Sequence, residues 1–157
     1  MIYLASDHAG FELKEKIEAF LRASGYDVED VGPHEFDAND DYPDTIYPAA
    51  KKVAGTPGAR GIIFGKSGQG EAMVANKVKG IRAAVYYGDP SKGSELEVVE
   101  LSRLHNNANV VSIASGFVTE EQAKKAVEKW LNTEFTMAER HVRRIKKIGT
   151  LERKLGD

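Results

Sequence analysis

Gly61 to Lys77 reads Gly-Ile-Ile-Phe-Gly-Lys-Ser-Gly-Gln-Gly-Glu-Ala-Met-Val-Ala-Asn-Lys, and it holds the residue types from which a proton-transfer site can be built. Gly65, Gly68 and Gly70 let the main chain adopt φ > 0 and bring its N–H groups close to a ligand. The helix expected after them adds partial positive charge at its start. Ser67 contributes a hydroxyl and Glu71 a carboxylate in the first helical turn, so a base stands beside a place suited to an anion or a developing oxyanion. The stretch is not a Walker A loop, because Lys66-Ser67 lies inside the loop and not after its last glycine. The plainer reading is a tight strand-to-helix turn in which Glu71 only complements the helix dipole.

The elements that must position these groups follow from the apolar pattern. Ile2 to Ser6 reads as a strand that ends in Asp7-His8-Ala9-Gly10, before a helix with Phe11, Leu13, Ile17, Phe20 and Leu21 on one stripe. Ile62 to Phe64 is the strand that leads into the glycine loop. In a parallel open sheet the C-terminal strand ends form the ligand edge, so Asp7 and His8 are placed as Glu71 is placed. Tyr26 to Gly32 reads as a strand near an edge. The acidic group Asp37, Asn39, Asp40, Asp41 reads as a solvated turn, lacking the spacing of a calcium loop. Tyr42-Pro43 opens the next helix, with Tyr42 able to reach a ligand from its entrance.

Further strands are expected over Ile81 to Tyr86 and Asn109 to Ile113, with a helix over Glu95 to Leu104 between them. That places His105 and Asn106 on the helix-to-strand side, at the opposite edge from Asp7 and Glu71, where one chain could hardly unite them. A helix over Thr119 to Trp130 precedes a last one over Met137 to Leu155. Its Met137, Val142, Ile145, Ile148, Leu151 and Leu155 form one stripe, and Arg140 and Arg144 stand one turn apart on another face. Since earlier helices already cover the sheet, this last helix is expected to pack on a second subunit and present its arginines there.

The 157 residues suit one domain, and 41% hydrophobic content provides a core with helices on both sides of a sheet. A net charge of −2 gives no general attraction to nucleic acid. With no cysteine there is no disulfide framework, thiolate nucleophile or cysteine metal site. No apolar run approaches the ~20 residues of a membrane span, and the N-terminus lacks a leader pattern, so a cytoplasmic protein is expected.

Taken together, Asp7-His8-Ala9-Gly10, Asp41-Tyr42-Pro43, Gly65 to Glu71 with Ala75-Asn76-Lys77, Gly80-Ile81-Arg82-Ala83, His105-Asn106-Asn107-Ala108-Asn109 and Arg140-His141-x-Arg143-Arg144-Ile145 closely resemble the ribose-5-phosphate isomerase B family, which includes the galactose-6-phosphate isomerase subunits. The match runs in order along nearly the whole chain. It implies an α/β fold, a Rossmann-like three-layer sandwich with a five-stranded, mostly parallel sheet. One sugar-phosphate isomerase domain over 1–157 is expected, with a C-terminal helix at about 136–155 in a dimer contact. It further implies a homodimer or dimer of dimers with shared active sites, and neither cofactor nor metal.

The activity implied is aldose–ketose isomerisation, with ribose 5-phosphate and ribulose 5-phosphate as the pair and a cis-enediol between them. One family branch uses a cysteine as base at the start of the glycine loop; Gly65 stands there, so the chain resembles the branch with a glutamate, Glu71. Carried over, Ser67 moves a proton on the carbonyl oxygen and the Gly68 to Gly70 N–H groups hold the oxyanion. Asp7, His8 and Tyr42 orient the sugar, His105 assists ring opening, Asn106 reaches a sugar oxygen from the partner, and Arg140 and Arg144 bind phosphate. After the fifth strand the family usually has an arginine in a Gly-x-Arg segment, whereas Ala114-Ser115-Gly116-Phe117 places Gly116 there; Lys66, or Lys92 in a longer loop, is expected to replace that cation. The competing readings are an isomerase of a hexose 6-phosphate or an unphosphorylated sugar, and a sugar-phosphate-binding protein without turnover.

Overall fold

Strands that are apolar on both faces need helices on both faces, and the computed structural model, which describes residues 1–88 and 96–155, satisfies that need. The elements run β1 (Ile2–Ser6), α1 (Phe11–Ala23), β2 (Val28–Asp30), α2 (Tyr42–Gly55), β3 (Arg60–Gly65), α3 (Gln69–Ala75), β4 (Ala83–Tyr86), α4 (Glu97–Asn106), β5 (Val110–Ala114), α5 (Glu120–Leu131) and α6 (Glu139–Leu155). The sheet order is β2-β1-β3-β5-β4. All four pairings are parallel, where a mostly parallel sheet was expected.

Side chains alternate across the strands with period two. Leu4, Ile62, Phe64, Val111 and Ile113 meet Ile17 and Leu21 of α1, Val99 of α4, and Val127 and the fully buried Trp130 of α5. Tyr3, Ala5, Ile63 and Val110 meet Ile46, Ala49 and Val53 of α2 and Ala75 of α3 on the other face. Three layers result. Thr119 and Gln122 close a reciprocal capping box at the start of α5, which fixes where the chain turns back after β5.

The chain passes from β1 to α1 and from β5 to α5 on one face, but from β3 to α3 on the other. A crevice therefore opens at the C-terminal ends of β1 and β3, where the direction of crossover changes. Gly10 lets α1 begin directly over β3: a Cβ there would come within 2.6 Å of the Phe64 main chain.

Several boundaries shift by one or two residues from those expected, β2 shortening to Val28–Asp30 and α6 starting at Glu139, and two of the shifts have a clear local reason. The fourth strand starts at Ala83 and not Ile81, because the Ile81 N–H closes a turn on the Val78 carbonyl and the Arg82 N–H is taken by the Asn109 side chain. The fourth helix runs on to Asn106, and Asn107, at φ 46, ends it in the left-handed region. Helix α6 lies on α4 and is tethered by the Glu152 carboxylate, which accepts from the Gly80 N–H at 3.2 Å. Its Ile148 and Leu151 are 42% and 57% exposed, so within the described residues the apolar stripe of α6 remains largely open to solvent. Lys92 and most of the long loop before α4 lie outside the described residues.

Candidate functional site

The crevice collects one set of expected residues. Gly68, at φ 71, turns the chain out of β3 and into α3, and its carbonyl accepts a hydrogen bond from the Ser112 hydroxyl at 2.7 Å. The glycine loop is thereby pinned to β5. Tyr42 lies over Gly70, where a Cβ would meet its ring at 2.9 Å, so the loop and the start of α2 touch because residue 70 has no side chain. The Ser67 hydroxyl is half-buried and accepts weakly from the Gln69 N–H at 3.4 Å.

Glu71 occupies the first turn of α3 and is only 3% exposed. Its carboxylate folds back onto Gly65, where a Cβ would sit 2.6 Å from Oε2 and nearer still to Oε1. Oε2 is buried without a hydrogen-bond partner among the described residues. Burial pushes the Glu71 carboxyl above its ordinary range and the Asp7 charge adds to the effect, while its own main-chain N–H works the other way. Asp7, buried beside it, accepts from the Gly10 N–H at 2.9 Å, and its own N–H donates to the Phe64 carbonyl at 3.4 Å. A carboxylate with a raised affinity for protons, shielded from water, next to a hydroxyl and a glycine-rich main chain, can take a proton from carbon and return it.

His8 stands at the rim with an acidic partner that the sequence reading assigned to a solvated turn. Asp40 Oδ1 accepts from both the His8 N–H at 3.0 Å and its Nδ1 at 2.6 Å. The Asp40 side chain is only 15% exposed, and its second oxygen is buried without a partner among the described residues. The Asp40 hydrogen bond, with smaller contributions from the charges of Asp7, Asp40 and Asp37, raises the His8 pKa against the opposing effect of desolvation. Asp40 thus makes His8 a better cation. Nothing in the run Asn39-Asp40-Asp41 distinguishes the middle carboxylate, since the pairing spans 32 residues.

Lys66 is exposed at the same rim and forms no ion pair among the described residues. Its carbonyl accepts from the Gly116 N–H at 2.9 Å, and a Cβ on Gly116 would lie 3.1 Å from the Lys66 Cγ. The lysine stem therefore runs past the missing side chain of residue 116.

The remaining expected residues lie elsewhere. Pairing of Gly61 with Val110 and Gly65 with Ala114 sets the start of β5 beside the start of β3. About 13 Å of strand separates that end from Glu71. His105 and Asn106 close α4 at this far end. The turn beyond them is clamped by two arginines: Arg82 Nε donates to the Asn106 carbonyl at 3.0 Å and Nη2 to the Asn107 carbonyl at 2.8 Å. Buried Arg103 donates to Asn107 Oδ1 at 2.8 Å and to the Ala108 carbonyl at 2.6 Å. Burial, with the charges of Arg60 and Arg82, lowers the Arg103 pKa to about 10. The His105 ring stacks on His141 of α6 at 4.3 Å between centroids, and Arg140 and Arg144 are exposed on the same helix. One chain thus carries Asp7, His8, Tyr42, Ser67, Gly68, Gly70 and Glu71 at one end of the sheet and His105, Asn106, Arg140 and Arg144 at the other.

Glu15, Glu18 and Asp30 are the only three acidic side chains among the described residues whose oxygens lie close enough to share a cation. The Lys14 ammonium already contacts Glu15 and Asp30, and Arg22 pairs with Glu18, so each of the three carboxylates already has a cationic partner from the chain itself. No helix among the described residues is long and apolar enough to cross a membrane.

Comparison with known proteins bears on this geometry. Residues 2–148 match the family described as Ribose/Galactose Isomerase. The ribose-5-phosphate isomerase B of Mycolicibacterium paratuberculosis is 40% identical over 152 residues, 97% of this chain and 91% of the relative. The crystal structure of Mycoplasma genitalium ribose-5-phosphate isomerase B with bound ribulose-5-phosphate superposes with a TM-score of 0.88 at 40% identity, covering 97% of this chain and 95% of the other. The Clostridium thermocellum ribose-5-phosphate isomerase B superposes with a TM-score of 0.86 at 37% identity, covering 98% of each chain.

Proposed function

Because the chain belongs to the ribose/galactose isomerase family, we propose that it is an aldose–ketose isomerase interconverting ribose 5-phosphate and ribulose 5-phosphate, with Glu71 as the base. The observation that carries the assignment is the Glu71 carboxylate itself, dehydrated, packed against Gly65 and beside a second acid, Asp7. A carboxyl with a raised pKa binds a proton from carbon more readily than a solvated one does.

In the proposed reaction Glu71 removes the C2 proton of the open-chain aldose. The electron pair moves to O1 through a cis-enediol, the Ser67 hydroxyl passes the proton between O1 and O2, and Glu71 returns its proton to C1. The N–H groups of the Gly68 to Gly70 loop stabilise the transient oxyanion. Asp7 and Tyr42 orient sugar hydroxyls. His8, whose protonated form Asp40 favours, and Lys66, alongside Gly116, face the phosphate together with Arg140 and Arg144.

His105, Asn106 and the two arginines act in this scheme from a second copy of the chain. Their placement a strand's length from Glu71 supports a shared site, as does the open apolar stripe of α6. A homodimer, alone or paired into a tetramer, is the proposed assembly. A cysteine-free chain of this kind fits the cytoplasm.

The test is turnover of ribose 5-phosphate by the wild type and by Glu71→Gln, a near-isosteric change that removes the base. The expected result is a wild-type rate that falls by roughly 10²–10⁴-fold in the variant with binding retained. An active Glu71→Gln enzyme overturns the base assignment. A wild type inactive on ribose 5-phosphate but active on a hexose 6-phosphate or a free aldose overturns the substrate, and one inactive on all of them overturns the enzyme reading.

A further inference from the structure

His141 lies in the first turn of α6 between arginines that face solvent, yet only 4% of it is exposed. A buried imidazole requires partners for its polar atoms. Its ring face rests on His105 of α4, nearly parallel, with 12° between planes and 4.3 Å between centroids. Its Nε2 accepts a hydrogen bond from Arg140 Nε at 3.1 Å. A guanidinium has only donors, so this bond requires Nε2 to be unprotonated and puts the ring proton on Nδ1. One side chain thus touches two residues to which the isomerase reading gives different tasks.

Resting on that reading, we infer that His141 is a positioning residue that fixes His105 for ring opening and aims Arg140 at the phosphate, joining the two ends of the substrate through one imidazole. The stack sets the plane of His105. The accepted bond holds the Arg140 guanidinium, which is otherwise exposed and free to sample many rotamers. The charged or titratable groups facing His141 are His105 from α4 and Arg140 and Arg144 from its own helix; burial first, and then these groups, lower its pKa, which favours the neutral ring that the Arg140 hydrogen bond requires. Protonation would place a third cation among them and remove the acceptor.

If His141 only filled space, a flat apolar ring would replace it without loss. His141→Phe keeps the stack and removes the acceptor. The expected result is a KM about tenfold higher in both directions, the scale of one lost charge-assisted contact, with kcat within about twofold. His141→Leu also removes the flat face. It should lower kcat from ribose 5-phosphate, which enters as a furanose, more than kcat from ribulose 5-phosphate, which is acyclic because its 5-hydroxyl carries the phosphate. Binding of inorganic phosphate, followed by NMR at Arg140 Nε, needs no turnover and should weaken about tenfold in His141→Phe. An unchanged phosphate affinity overturns the inference even in a wild type that proves inactive, so the two failures are distinct. Should His141→Phe not fold, the ring nitrogen shifts of the wild type decide: an unprotonated Nε2 at pH 7 supports the positioning role, and a doubly protonated ring overturns it.

Discussion

Gly65→Ala isolates the placement of the base from the integrity of the fold. The new methyl would lie 2.6 Å from Glu71 Oε2, with Oε1 nearer, whereas a carbon and an oxygen need more than 3 Å. The flexible end of Glu71 must retreat by about 1 Å or more. Displacing the carboxylate is cheap for the fold. Residue 65 has an ordinary backbone conformation, where glycine-to-alanine replacement adds about 0.4–1 kcal/mol of stability by restricting the unfolded chain. It is costly for the reaction, because a misplacement of about 1 Å can slow a positioned proton transfer about 100-fold, equivalent to about 2.7 kcal/mol in the barrier. The assay pairs kcat for ribose 5-phosphate with calorimetric Tm. A protein as stable as the wild type that has lost about two orders of magnitude in kcat is the expected outcome. Retention of wild-type kcat would show that the carboxylate resting on Gly65 is not the group that moves the proton, and a collapse of Tm would show that the backbone and not the carboxylate yields.

Three further outcomes follow from the same geometry. Glu71→Gln should be more stable than the wild type at pH 7, because a carboxyl whose folded pKa is raised favours the fold only while protonated. That advantage of the variant should disappear below about pH 4, under the unfolded value, and grow as pH rises through the folded one, as read by urea melts across pH. Asp40→Asn should return His8 toward the ordinary histidine range, as read by NMR titration. KM should rise mainly above about pH 6.5, where the wild-type ring is still charged and the variant ring is not; the fold stabilisation from this pair is likewise complete below that pH and lost as pH rises through the folded value. Lys66→Ala should raise KM for ribose 5-phosphate about tenfold with little change in kcat, and an unchanged KM would remove Lys66 from the phosphate site.

What could be read in the sequence was whatever is encoded locally. The strand, glycine loop and first-turn glutamate of 61–77 are contiguous, so their order alone places Glu71 at the ligand edge. The same topological rule put His105 and Asn106 at the opposite edge, as observed. Asp40 was not legible, because its meaning lies in His8, 32 residues away, and a carboxylate in an acidic turn looks the same whether it is solvated or paired. Nor was the role of Gly65: a glycine at a strand end reads as conformational freedom, whereas here it vacates the space of a carboxylate. The burial of His141 depends on how α6 meets α4, a contact between helices that no periodicity predicts.

The separation of the two residue sets by the length of a strand also has a genetic meaning under the shared-site reading. A chain with a defect at Glu71 still offers a sound His105 and Arg140 to its neighbour, and a chain defective at His105 still offers a sound Glu71. Two such alleles in one cell would assemble mixed pairs with one intact centre, while two alleles damaged at the same end would not. Inheritance of the defect would then follow the end of the sheet that was hit, and not the severity of either lesion taken alone.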